Sequence, residues 1–321
     1  MKPLFAILLF SAALVAQTTP PTPQCCPEAS IQNQQLLWDK LQSTVAETDR
    51  DLDGVLGVAI FDLTGGQTLL LHPDNTFPQA SSIKIAVLAE LYHQAQQSAE
   101  GVAGKAKLTD LYTVQQSDIV PGSDIMEGLS PGVTRVTLRD LATMMIAVSD
   151  NSATNVLIDR LGMDNVNALL DSLGLKATRL RRRMMDVKAA AEGRENVATP
   201  REMMTLLTAL YRGKVLNKEL TADYFKMLST HKDSPIRKTV PGDVPSADKP
   251  GELEAVRTDS GVVLLKNRPF VICVMTTFLR HEEEGQAAIR KITAAAYSYF
   301  DRVGRASQYG RVVSPGDTSR P

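Results

Sequence analysis

The chain has 321 residues, 43% of them hydrophobic and 22% charged, the make-up of an ordinary globular protein long enough for one large domain or two moderate ones. Thirty-five basic residues against thirty-six acidic ones leave a formal net charge of −1, which gives a nucleic acid no basic surface to bind. Three cysteines form no disulfide framework. The scattered His72, His93, His231 and His281 have no metal-ligand spacing, so neither a metal nor a cofactor is expected.

In chain order, MKPLFAILLFSAALVAQ comes first. Lys2, the apolar stretch Leu4–Val15 and the small Ala16 read as a secretory leader over residues 1–16, too short for a membrane span. A secreted or periplasmic protein is therefore expected. A Pro/Thr/Gln-rich stretch with the adjacent Cys25 and Cys26 reads as a linker over 17–30. Leu36, Leu37, Leu41 and Val45 fall on one stripe and predict a helix over Ile31–Asp49. VLGVAIFDL and QTLLLH read as two strands joined by a Gly65-Gly66 turn.

Pro78 is expected to open the next helix, which carries Ser81 and runs to about Ser98. Asp118–Thr134 is rich in Pro, Gly and Ser and reads as a loop. Thr137 and Asp140 suggest a capping box, with Leu138, Leu141, Met145 and Val148 as the apolar stripe of the helix that follows. Asn151 or Ser152 is expected to cap another helix to about Arg160, and Asn165–Leu173 and Pro200–Arg212 are further helices. After Ser234 the pattern returns to β. GELEAVRTDSGVVLL and FVICVMTTF read as two strands around a Lys266–Pro269 turn, with another strand possible just before them and Cys273 as a buried small hydrophobe. Glu282–Val303 is a terminal amphipathic helix, and 304–321 a loose polar tail.

The β runs sit at both ends of the chain, and one sheet must join them. The expected fold is mixed α/β (α+β): an antiparallel sheet flanked by terminal helices, made from 31–78 and 234–303, with an inserted all-helical part over 79–233.

Three motifs occur in order. Ser81-x-x-Lys84 stands at a helix start, Ser149-Asp150-Asn151 between two helices, and Lys249-Pro250-Gly251 at the start of a strand. A serine hydroxyl is a weak nucleophile that needs an adjacent base, and residues three apart share a helix face, which puts Lys84 beside Ser81. A helix N-terminus offers free N–H groups to an oxyanion. Ser149 can pass a proton to a leaving nitrogen, Asn151 can bond a substrate amide, and Lys249 offers a cation to a substrate carboxylate.

This trio resembles that of class A β-lactamases and related serine hydrolases. The resemblance runs from about Ile31 to Val303 and is most specific in TLRDLATMMIAVSDNSATNVLIDRLG (Thr137–Gly162). It implies a β-lactamase/transpeptidase-like fold, with the backbone N–H groups of Ser81 and Glu252 as the oxyanion hole.

Two departures stand out. The family's omega loop carries a glutamate that activates the deacylating water. Here TRLRRRMMDVKAAAEGRENVATP places Met184 or Met185 near that position. Asp186 is a candidate substitute base, or else a loop carboxylate paired with Arg182 or Arg183; Glu192 and Glu195 lie further on. Pro250 stands where the family has Thr or Ser, removing a carboxylate-binding hydroxyl and an N–H. Arg257 on the same strand is either a replacement carboxylate ligand or a surface strand residue.

The leading expectation is a monomeric secreted serine hydrolase that opens a small-molecule β-lactam through an acyl-enzyme on Ser81, with slow deacylation. A penicillin-binding-like peptidase acting on D-Ala-D-Ala-like, peptidoglycan-derived ends, or an esterase, is the alternative. A non-catalytic β-lactam or cell-wall sensing domain is the reading from another class.

Overall fold

The computed structural model describes residues 27–307 and 309–312. The expected leader, Cys25 and Cys26 lie outside the described residues. Helix α1 (Pro27–Asp51) leads into β1 (Val55–Asp62) and β2 (Thr68–Leu71). A short β3 (Phe77–Pro78) and a 3₁₀ turn (Ala80–Ile83) precede α2 (Lys84–Ala99). Next come β4 (Leu111–Thr113), β5 (Arg135–Thr137), α3 (Leu138–Ala147), α4 (Asn151–Leu161) and α5 (Met163–Ser172). A short α6 (Val187–Ala191), β6 (Val197–Ala198), α7 (Pro200–Tyr211), α8 (Lys218–Leu228) and α9 (Pro235–Thr239) follow. The chain closes with β7 (Ser246–Leu253), β8 (Val256–Val263), β9 (Phe270–Thr277) and α10 (Glu282–Arg305).

Five strands form one antiparallel sheet in the order β2-β1-β9-β8-β7, so the first hairpin pairs with the last strand of the chain. Side chains alternate across a strand, and in β9 both faces are buried. Phe270, Ile272 and Val274 join Trp38, Ile289 and Phe300 in the core under α1 and α10. Val271, Cys273 and Met275 join the core formed with α2, α4 and α7. Trp38 meets Tyr299 edge-on at 5.0 Å, and Phe270 stacks on Phe300 at 4.3 Å, which locks α1 and α10 to each other and to the sheet. The stripe Ile289, Ile292, Ala296 and Tyr299 is buried as the periodicity requires.

Pro78 does not open a helix. Phe77 and Pro78 pair with Ala198 and Val197, and Ala80, at φ +47°, interrupts any helical run, so α2 begins only at Lys84. GELEAVRTDSGVVLL is not one strand: it folds into the β7–β8 hairpin at Glu254–Ala255. Ala255 takes φ +58° there, and an alanine at a left-handed position leaves no turn signal in the sequence. Helix α9 stands where strand was expected; Ser234 caps it and Pro235 is its first residue. Helix α8, capped by Asn217, was not anticipated. Thr137 and Asp140 form both bonds of their capping box, but Asp150, not Asn151 or Ser152, caps α4. Val148 is 40% exposed and faces the cleft rather than the core. The terminal helix outlasts Val303, and Ala306 bridges Val312.

Candidate active site

Ser81 lies on the 3₁₀ turn between the sheet edge and the helical block, at the floor of a cleft of about 430 Å³. Ser82 anchors this turn from below: its hydroxyl donates to the Lys249 carbonyl at 2.8 Å and meets the Thr258 hydroxyl at 2.7 Å. Gly251 lets the turn sit directly on β7, since a Cβ there would stand 2.4 Å from the Gln79 carbonyl oxygen and 3.0 Å from the Ser82 nitrogen. The sequence Gly251 therefore serves the approach of two backbones.

Lys84 heads α2 and is completely buried. Its Nζ donates to the Ser149 carbonyl at 2.6 Å, to Ser149 Oγ at 3.0 Å and to Asn151 Oδ1 at 3.0 Å. Ser149 Oγ in turn donates to Ser81 Oγ at 2.8 Å. The i, i+3 spacing suggested that Lys84 reaches Ser81 directly, but the hydrogen-bonded route runs through Ser149. Lys84 caps the 3₁₀ turn with its backbone N–H on the Ser81 carbonyl, which keeps the two residues on one side as the spacing predicts, with Ser149 Oγ bonded to both. Burial, then the Lys249 charge, push the Lys84 ammonium well below its usual range, against a smaller opposing pull from Asp150. Ser149 holds φ +59°, an uncommon conformation for a serine. Asp150 fixes it by capping α4 at Ala153 and accepting the N–H groups of Ile125 and Met126. Asn151 Nδ2 donates to the Pro121 carbonyl, which orients its oxygen toward Lys84.

Lys249 and Pro250 form the sheet-side wall of the cleft. Burial, followed by the nearby Lys232 ammonium, lowers Lys249 to about 8. Behind β7 and β8, Asp248 and Asp259 form a buried acid pair. Burial and the Asp248 charge raise Asp259 well above the carboxylate range. Lys232 and Asn155 carry weight here without having been singled out in sequence, and Asp150 stood in its motif without a role. Lys232 stood in a stretch with no motif, and Asn155 differs from any helix asparagine only by what it touches.

The omega-loop segment closes a second cavity of about 240 Å³, lined by Ser81, Asn151, Arg182, Met184, Met185 and Glu195 among others. Asn155 fixes the Met184 backbone in both directions: its Oδ1 accepts the Met184 N–H at 2.8 Å and its Nδ2 donates to the Met184 carbonyl at 3.1 Å. Met184 is buried and Met185 is exposed at φ +64°. Asp186 is exposed, caps α6 by accepting the Ala189 N–H at 2.9 Å, and is not among the residues lining either cavity. It also pairs with neither arginine: Arg182 pairs with Glu195 and Arg183 with Asp159. Arg257 is neither a cleft residue nor a surface one. It is buried, with its guanidinium held by Glu282 and by the carbonyls of Leu253 and Val256. Ser81 and Glu252 line both cavities.

Residues 37–300 match the family described as Beta-lactamase enzyme family. Beta-lactamase SME-1 of Serratia marcescens is 30% identical over 252 residues, 74% of this chain and 81% of that protein. The chain belongs to the class A β-lactamase family. As a member it is a serine hydrolase. The crystal structure of a β-lactamase from Sphaerobacter thermophilus superposes with a TM-score of 0.73 at 31% identity, covering 82% of this chain and 98% of that one. The structure of PBP-A gives the same TM-score at 24% identity over 82% and 96% of the two chains, a likeness of fold.

Proposed function

We propose that this class A family member is acylated by β-lactams on Ser81 and releases the product slowly. The observation that carries the reading is the continuous bond path from the buried Lys84 through Ser149 to Ser81 in the cleft. A lysine whose ammonium is destabilised by burial and by the Lys249 charge can act as a base. As Ser81 Oγ attacks the lactam carbonyl, its proton passes through Ser149 Oγ to Lys84. The C–N bond then breaks, the nitrogen takes the proton back through Ser149, and an ester on Ser81 remains. Asn151 binds the substrate amide, the N–H groups of Ser81 and Glu252 hold the oxyanion, and Lys249 faces the substrate carboxylate.

Water must then attack the ester, and it needs a base within hydrogen-bond reach. The segment beside Ser81 presents Met184 and Met185, which cannot serve. Asp186 is committed to capping α6, and the Glu195 carboxylate is paired with Arg182 and accepts the Asn196 N–H. Slow deacylation follows. The same feature favours a second reading, a peptidase acting on D-Ala-D-Ala-like ends of peptidoglycan. Five polar groups retained in one cleft speak against a non-catalytic sensing domain. On the leader-like N-terminal sequence, the proposed place of action is outside the cytoplasm, as a monomer on a small-molecule substrate.

Intact-mass spectrometry after mixing with benzylpenicillin tests this. The expected result is a long-lived adduct of the whole penicillin mass on Ser81. Release of D-alanine from a D-alanyl-D-alanine peptide, alongside a persistent adduct, would favour the second reading, and absence of any adduct would overturn acylation by β-lactams.

A further inference from the structure

Lys232 follows α8 in the chain and forms part of the same cleft wall as Lys249 and Pro250. Its Nζ donates to the Leu228 carbonyl at 2.7 Å, and Lys249 Nζ donates to the Pro250 carbonyl at 3.0 Å. An ammonium has three N–H donors, so each keeps two beyond these bonds. Both side chains are more than nine-tenths buried, at 7% and 2% exposure. Two cations held out of water beside each other are unfavourable. Burial lowers each of them, and Lys232 is the main charge acting against Lys249. An anion entering the cleft would relieve this repulsion.

The acids around the pair leave room for that anion. Asp248 and Asp259 lie behind the sheet, where burial and their mutual repulsion push the Asp259 carboxyl toward its neutral form. Of the carboxylates bordering the cleft, Asp233 is paired with Lys238 at 2.5 Å, Glu252 accepts from Gln286, and Asp124 is exposed. Pro250 presents no hydroxyl to a substrate carboxylate, and Arg257 is turned to Glu282. The position that lacks a donor lies on the wall shared by the two lysines.

We propose that Lys232 and Lys249 together clamp a carboxylate flanking the scissile amide, with Lys232 supplying the contact that the hydroxyl missing at Pro250 would have made. Lys232 is then a specificity-determining residue for anionic substrates. The inference rests on the acyl-enzyme reading above. It holds alike for a β-lactam acid and for a peptide C-terminus, which share this chemistry.

The test compares nitrocefin with its methyl ester, which lacks the anion, in stopped-flow acylation of the wild-type, Lys232→Met and Lys232→Arg proteins. A hydrogen bond between charged groups supports an expected loss of about 10- to 100-fold. Lys232→Met should slow acylation by the free acid by that factor more than acylation by the ester, through weaker binding rather than a slower chemical step. Lys232→Arg should recover most of the loss. An equal loss on acid and ester would show that Lys232 only caps α8, and no loss on either would show that it does not meet the substrate. Each result overturns the clamp and leaves the acyl-enzyme intact. Wild-type protein that reacts with neither compound would bring down the acyl-enzyme reading and the clamp with it.

Discussion

The Ser149 hydroxyl stands between Ser81, 2.8 Å away, and the Lys84 ammonium, 3.0 Å away, so the nucleophile and the buried amine meet through a second hydroxyl. Groups that act as a unit give non-additive losses. Lys84→Ala and Ser149→Ala should each slow acylation by roughly 10²–10⁴-fold, the contribution of a positioned acid–base group. The double variant should be little worse than the worse single one. Stopped-flow acylation measures all three, and losses that multiply would show two independent roles. Ser81→Ala should abolish the adduct entirely while circular dichroism stays native.

Gly251 makes a structural prediction. Gly251→Ala places a methyl against the Gln79 carbonyl, and the neighbour is backbone that cannot swing aside. Overpacking of this kind costs about 1–3 kcal/mol. The melting temperature should fall, and acylation should slow because the turn that carries Ser81 is displaced. An unchanged melting temperature with full acylation would mean that β7 and the turn are looser than their hydrogen bonds indicate.

Lys84 and Lys249 set opposite limbs of a pH profile. Lys84 must be neutral to accept a proton, so activity rises with pH as its ammonium deprotonates, and burial and the Lys249 charge bring that rise below a free lysine's range. Lys249 must be charged to hold a carboxylate, and activity toward anionic substrates should fall as pH passes about 8. Lys232 depresses this value, while Asp259, Asp248 and Glu252 raise it. For stability the sign is reversed. Between about 8 and 10.5 the unfolded chain keeps a proton that folded Lys249 has shed, so its contribution grows with pH across that window and is lost again as pH falls through about 8. Acylation by an anionic β-lactam that stays flat to pH 9.5 would contradict the assignment.

The omega segment gives a gain-of-function prediction. Met184→Glu places a carboxylate where Asn155 already fixes the backbone, beside Ser81, and should shorten the life of the acyl-enzyme by about 100-fold, the lower end of the range for a general base. Met185→Glu, at an exposed left-handed residue, should do much less. Asp186→Asn should leave the adduct lifetime unchanged, because asparagine caps a helix as well as aspartate does. A longer-lived adduct in Asp186→Asn would restore that residue as a base.

The sheet and the terminal helices were legible because they depend on period: alternation in VLGVAIFDL and FVICVMTTF, and the stripe from Ile289 to Tyr299. The polar groups of the site were legible because Ser81, Lys84, Ser149, Asn151 and Lys249 carry chemistry at fixed spacing. What escaped depends on contact between distant segments. Nothing near Lys232 indicates that β7 brings Lys249 beside it. Nothing in the sequence shows that Glu282 draws Arg257 away from the cleft. Asp186 reads the same whether it caps a helix or faces a water, and only the loop path separates the two. Alanines at φ +47° and +58° hid the 3₁₀ turn and the β7–β8 hairpin, since left-handed positions are recognised by glycine or asparagine.

The central claim is fast acylation of Ser81 followed by slow release, and a pre-steady-state trace with nitrocefin tests it most directly. The account predicts a burst of product equal to the enzyme concentration, then a slow steady state, with the adduct on Ser81 visible by mass throughout. A linear course without a burst, at a rate on the order of hundreds of turnovers per second, within the upper range of ordinary enzymes, would contradict it by showing that an efficient base acts beside Met184.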